Sequence, residues 1–226
     1  MNEESGKKIS YYYKVVEDEE VTENDIRQAL ELDRKGYHVP DIEQFDIEKC
    51  MRWNENTGYK VYTMIKDPET DDVVGYINAV PVNDKCYEEI KAGKYADVDI
   101  NDNDIEAYKF PNIPRTYNLY FASIVIDSKK DKFRRFFELY NAFLDKLIKL
   151  TESGIIVSRM IADAISEAGK LLCEGCGMKK IKDTDHDNST VYEFELYPPK
   201  FHVRTPKQKE LYNVLMEKYK ELERNK

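Results

Sequence analysis

Apolar residues recur along this chain in two rhythms, and the switches between them mark its elements. Runs rich in β-branched and aromatic residues predict strands over 9–16, 59–65, 73–80, 117–126, 155–165, 178–181 and 190–196. The segment Asp67-Pro68-Glu69-Thr70-Asp71-Asp72 is turn chemistry and makes the second and third of these a hairpin. A second, Asp-rich turn joins the last two. The 117–126 run is apolar almost throughout, as a central strand buried on both faces is. Helical spacing takes over elsewhere. Thr22 and Asp25 form a capping box that opens a helix with Ile26, Leu30 and Tyr37 on one face, ended by Pro40. A short helix follows over 47–53. Phe133, Phe136, Phe137, Tyr140, Phe143, Leu144 and Leu147 define a long amphipathic helix whose stripe is core. Another helix spans 166–176 and stops at Gly177. Thr205-Pro206 starts a last one, with Leu211, Val214, Leu215 and Leu222 on its apolar face. Residues 81–115 are expected to be irregular and acidic. Strand, helix, strand in succession after residue 116 implies a parallel pair with a right-handed crossover.

The chain has 226 residues, enough for one large domain or two small ones. Apolar residues make up 41% of it, ample for a core, while 35% charged residues demand a densely ionic surface. The net charge is −9, which disfavours a general nucleic-acid surface. No apolar run approaches the ~20 residues that span a bilayer, so no membrane role is expected. The charged N-terminus is not a secretory signal, and Cys50, Cys86, Cys173 and Cys176 are too sparse for a disulfide framework. A cytoplasmic protein is the expectation.

Against that acidic background one segment stands out. Residues 128–135 hold Lys129, Lys130, Lys132, Arg134 and Arg135 against Asp131 alone, at the predicted start of the long helix. Basic side chains there oppose the helix dipole, so their placement fits an external polyanion better than a bare helix end. Other constellations carry less. Cys173-Glu174-Gly175-Cys176 is half of a zinc or redox motif, with no second half. The Asp97–Asp104 run lacks the glycine and glutamate of a calcium loop, and serves as a solvated loop or an acidic wall for an amine. His38, His186 and His202 share no ligand spacing, and His186 falls in the last hairpin's turn. Neither a nucleophile elbow nor a P-loop is present.

The order of elements, and one motif in particular, resembles the GNAT superfamily of acyl-CoA-dependent N-acyltransferases over roughly residues 10–197. Members often carry Asn-x-x-Ala-x-x-Leu-Tyr-Glu-x-x-Gly-Phe after the fifth strand. Here Ser166, Gly169, Leu172, Cys173, Glu174, Gly177 and Met178 keep that spacing. Val73-Val74-Gly75-Tyr76-Ile77 resembles the family's third strand. The family's pyrophosphate loop, Arg/Gln-x-x-Gly-x-Gly/Ala, is replaced by a glycine-free segment from Asp127 to Phe136.

The resemblance implies an α/β fold, with a mixed, splayed central sheet of about six to seven strands and flanking helices. It makes residues 1–197 the acyltransferase domain and 198–226 a helical extension that packs on the domain or on a partner, a homodimer being one outcome. It implies acetyl-CoA as co-substrate without a metal, and a small amine or peptide amine as acceptor. The acyl and pantetheine portion would lie along Ala122–Ile126, including Ile124, Val125 and Ile126, and near Ser166. The phosphates would lie at Lys129, Lys130, Lys132, Phe133, Arg134 and Arg135. The family's general acid is a Tyr, whose position here holds Cys173. The absent glycines and that Cys favour a second reading, a catalytically degenerate module for ligand sensing or protein interaction.

Overall fold

The computed structural model describes residues 11–37, 46–109, 114–127, 131–184 and 188–224. Seven strands, β1 (Lys14–Glu17), β2 (Tyr62–Lys66), β3 (Val73–Val82), β4 (Arg115–Ile126), β5 (Ile155–Ala164), β6 (Lys179–Asp183) and β7 (Thr190–Glu195), form one open sheet in the order β1-β2-β3-β4-β5-β7-β6. Among the described residues only β4 and β5 run parallel. The connection between them is the predicted long helix, here α4 (Lys132–Glu152).

Two apolar layers cover the sheet. On one face α1 (Glu23–Tyr37), α2 (Ile47–Asn56) and α3 (Asp84–Lys91) bury Ile26, Trp53, Tyr87 and Ile90 against Met64, Tyr76 and Val80. On the other, α4, α5 (Glu167–Cys176) and α6 (Pro206–Arg224) bury Leu139, Phe143, Leu147, Cys173, Leu211 and Leu215. The apolar face of the C-terminal helix is thus covered by its own chain, with Gln208 Nε2 donating to the Tyr140 hydroxyl at 2.9 Å.

The placement of α1 has the largest bearing on the functional end of the sheet. The Thr22–Asp25 capping box forms: the Asp25 N–H donates to Thr22 Oγ1, and the Thr22 N–H and hydroxyl donate to Asp25 Oδ2. Buried Lys66 of β2 pairs with Asp25 at 3.0 Å and Asp71 at 2.6 Å, and the Val73 N–H donates to Gln28 at 2.8 Å. These bonds fix the helix over the sheet. Asp25, Ala29 and Asp33, four residues apart, then lie on one helix face.

Several expectations change. The 81–115 stretch is not irregular throughout. β3 runs on to Val82, and α3 follows with Asn83 as its cap, accepting from the Cys86 N–H at 2.8 Å. Its Cys86, Tyr87 and Ile90 fit a helix too short to show clear periodicity. β1 starts at Lys14, while residues 9 and 10 lie outside the described residues, as do Pro40 and the Tyr37 side chain. On α4 the aromatic stripe leaves Phe133 82% and Phe137 54% exposed, Phe136 packs partly against the core, and full burial of the stripe begins at Leu139. β4 is buried on both faces only over residues 117–120.

Candidate functional site

That last difference locates the site. β4 and β5 pair from Arg115↔Ile155 to Tyr120↔Ile161, and then part. Beyond that point β4 continues with β3 alone as far as Ile126, and β5 with β7 alone as far as Ala164. The sheet opens there, and Phe121, Ala122, Ser123, Ile124 and Ile126 are half-buried where their predecessors are buried.

A β-bulge helps to open it. Asn78 of β3 faces Ser123 and Ala79 faces Phe121, so Ala122 is the extra residue. The bulge shifts the alternation. Tyr120 and Ala122 turn toward α1–α3 and Phe121 toward α4, yet Ser123 also turns to α1.

Ser123 ends a polar row laid across three strands of an otherwise apolar face. Tyr62 faces Asn78, and Asn78 faces Ser123. The Ser123 hydroxyl donates to Asp33 Oδ1 of α1 at 3.2 Å and lies 3.2 Å from the Tyr76 hydroxyl. Burial raises the Asp33 carboxyl to about 6, against the hydrogen bonds from Tyr76 and Ser123 that favour its ionised form. Burial also raises the Cys50 thiol to about 11 and holds Tyr62 and Tyr76 well above the usual tyrosine range. Sequence reasoning missed Asp33 and Asn78, and included Ser123 only through the backbone of Ala122–Ile126. Their signal was present as polar residues interrupting apolar strands, and as an acid on the buried face of α1.

The basic segment is divided in its roles. Lys129 and Lys130 lie outside the described residues. Lys132 and Arg134 are exposed at the start of α4. Arg134 sits 4.9 Å over the Tyr12 ring and 3.7 Å from Glu138. Arg135 turns inward. It is 5% exposed, donates to the Asp127 carbonyl at 2.9 Å and the Tyr13 hydroxyl at 3.2 Å, and lies 3.6 Å from the Asp127 carboxylate. Its guanidinium is therefore engaged within the chain rather than presented to an anion. Asp131, at the mouth of α4, holds φ at +49° without being glycine, a conformation Asp tolerates better than most residues.

On the neighbouring arm Ser166 caps α5, its hydroxyl accepting from the Gly169 N–H at 3.0 Å. Cys173 is buried one layer beneath, and burial, with the neighbouring Cys176 and Glu174, pushes its thiol up to about 12. A thiol of that strength gives up its proton reluctantly to a thiolate whose conjugate acid lies near ~8.5. Burial therefore weighs against Cys173 as an acid. The acidic loop is engaged too. Asp102 accepts from Trp53 Nε1 at 2.8 Å and Arg52 at 3.3 Å, and Asp104 from the Asn101 N–H at 3.0 Å. Among the described residues no cluster of His, Cys, Asp or Glu is arranged to hold a metal, and no helix is long and apolar enough to cross a membrane. His38 and His186 lie outside the described residues.

No family model matches the sequence, and a search among curated proteins found no match. Solved structures do match. The NatB acetyltransferase complex bound to a bisubstrate inhibitor superposes with a TM-score of 0.51 at 11% identity, over 84% of this chain and 96% of that one. PH1933 from Pyrococcus horikoshii OT3 gives 0.51 at 14% identity, over 80% and 97%. The NatC complex bound to Gag peptide and CoA gives 0.50 at 11% identity, over 80% and 94%. This is the GNAT fold. The GNAT sheet here has seven strands, mixed and splayed, with α6 added on the α4 face. Identities this low establish architecture, and the chemistry must come from the residues at the opening.

Proposed function

We propose that this chain is an N-acyltransferase that moves the acyl group of an acyl-CoA, acetyl being the simplest, to a primary amine. The observation that carries the reading is the parting of β4 from β5 after Tyr120 and Ile161, beside the bulge at Ala122. An edge of β4 without a strand partner suits an extended, amide-bearing ligand such as pantetheine, which can pair with it as a strand would. Ile124, Val125 and Ile126 would contribute through their backbone, and Ser166 stands on the opposite arm.

At the same end, the first turn of α4 supplies N–H groups and the positive pole of the helix dipole. Lys132 and Arg134 are exposed beside it, and Lys129 and Lys130 precede it in sequence. That combination suits the phosphates of CoA. Phe133, exposed in the same turn, offers an apolar face to the adenine. In the reaction the amine nitrogen attacks the thioester carbonyl, the C–N bond forms as the C–S bond breaks, and the departing thiolate takes a proton.

The test is thermal unfolding with acetyl-CoA. A ligand at 100 times its dissociation constant stabilises the folded state by about 2.7 kcal/mol, a shift of several degrees. Lys132→Glu with Arg134→Glu removes the shift while leaving the unliganded protein nearly as stable, because both side chains are exposed. No shift for the wild type at millimolar acetyl-CoA refutes the reading. The glycine-free loop and the inward Arg135 favour a second one, a sensing module. Binding without turnover on any amine would select it.

A further inference from the structure

We propose that Asp33, held against Ser123 beneath α1, binds the ammonium group of the acceptor and takes its proton before the nitrogen attacks the acyl carbonyl. The proposal rests on the acyltransferase reading and adds to it a residue and a role. Asp33 reaches the opening because α1 is anchored two turns earlier by Asp25 and Lys66, and because the bulge turns Ser123 toward the helix. Its partners there are hydroxyls, Ser123 at 3.2 Å and Tyr76. Among the described residues no Lys or Arg pairs with it.

A second, independent feature points into the same place. Asn78 is the strand partner of Ser123 and lies on the α1 side of β3, in alternation with Tyr76 and Val80. It is 8% exposed, and its Oδ1 is buried without a hydrogen-bond donor. A buried amide oxygen left without a donor costs about 1–3 kcal/mol. Beside Ser123 there are therefore an amide oxygen in need of a donor and a carboxylate lacking a counter-ion. An ammonium brings three N–H donors and the missing charge.

The proton balance closes. The ammonium gives one proton to the Asp33 carboxylate, and the freed amine attacks the acyl carbon. The nitrogen of the adduct loses a second proton as the C–S bond breaks, and the thiolate gains one, leaving amide and free thiol. Asp33 then returns its proton to solvent. A carboxyl at about 6 is a stronger base than an ordinary one while staying ionised at neutral pH. The other titratable groups facing it are Tyr76 of β3, Tyr62 of β2 and Cys50 of α2, all held protonated at neutral pH.

The experiment uses the full chain, wild type against Asp33→Asn, Asp33→Glu and Asn78→Leu. Binding of 2-phenylethylamine, spermidine and an alanyl peptide, each against its N-acetylated form, is followed by thermal shift with and without CoA. At least one amine should bind while its neutral derivative does not. Asp33→Asn should weaken that binding at least about tenfold, with the shift caused by CoA unchanged. Where turnover is found, Asp33→Asn should lower kcat on the order of 10²-fold and abolish an acid limb near pH 6, and Asp33→Glu should restore part of both. Equal amine binding by Asp33→Asn, retention of the limb, or no amine bound by the wild type overturns the proposal. Failure of acetyl-CoA to bind overturns the acyltransferase reading instead, and the amine arm still decides Asp33.

Discussion

The guanidinium of Arg135 donates to the main-chain carbonyl of Asp127 at 2.9 Å, tying the first turn of α4 to the end of β4. The same side chain stacks 5.4 Å over the Tyr13 ring and meets the Asp127 carboxylate at 3.6 Å. Removing the buried guanidinium leaves its hydrogen-bond partners unmet, at about 1–3 kcal/mol for each buried polar group left without one. Arg135→Ala should therefore unfold at markedly lower urea, while Arg134→Ala, exposed one residue earlier, should change the midpoint little. Equal midpoints would show that Arg135 does not secure α4 to the end of β4.

Asp33 makes an opposite prediction about stability. Its folded carboxyl is raised to about 6 from an ordinary 3.8, so between those values the folded state keeps a proton that the unfolded state has lost. Stability contributed by this group is present below pH 4, declines as pH rises to about 6, and is fully lost above. A shift of that size corresponds to about 3 kcal/mol. Asp33→Asn should raise the melting temperature at pH 8 and leave it nearly unchanged at pH 4. Parallel melting curves at the two pH values would show that burial does not penalise the carboxylate.

The C-terminal helix should behave as part of the core. Leu211 and Leu215 are each 1% exposed, and Arg204 donates to the Glu174 and Gly175 carbonyls at the end of α5. Fully burying each leucine is worth about 1.5–3 kcal/mol. Ending the chain at Pro199 should lower the melting temperature by at least ~6 °C. A truncated protein with unchanged melting and sedimentation would make the helix a dispensable tail.

Cys173 tests the position that the resemblance gives to the general acid. With burial holding its thiol at about 12, Cys173→Ala should lower kcat by less than ~3-fold once an acceptor is found. A loss nearer 10²-fold, with acetyl-CoA affinity unchanged, would return the acid role to this thiol.

The elements were legible in the sequence wherever one periodicity persisted. The run from Leu139 to Leu147 could only be one face of a helix, and the apolar 117–126 run could only be an inner strand. The family motif around Cys173 was legible for the same reason, since helix caps and turns are local: Ser166 does cap α5, and Gly177 ends it at φ +96°. The α3 helix was missed because three buried residues in eight leave too short a period to see.

Local chemistry along the chain thus dictated the order of strands and helices, the class of fold, and a basic end to α4, because each arises from contacts between near neighbours. It did not separate Arg135 from Arg134, although they are adjacent and alike. One turns to Tyr13 and Asp127 and the other to solvent, a choice made by helix phase against a segment more than a hundred residues away. Nor did it gather Asp33, Asn78 and Ser123. Their meeting depends on the register of β2, β3 and β4 and on one extra residue at Ala122. It is a property of the assembled sheet, because a one-residue bulge reverses which face a side chain takes and leaves the residue types along the strand unchanged.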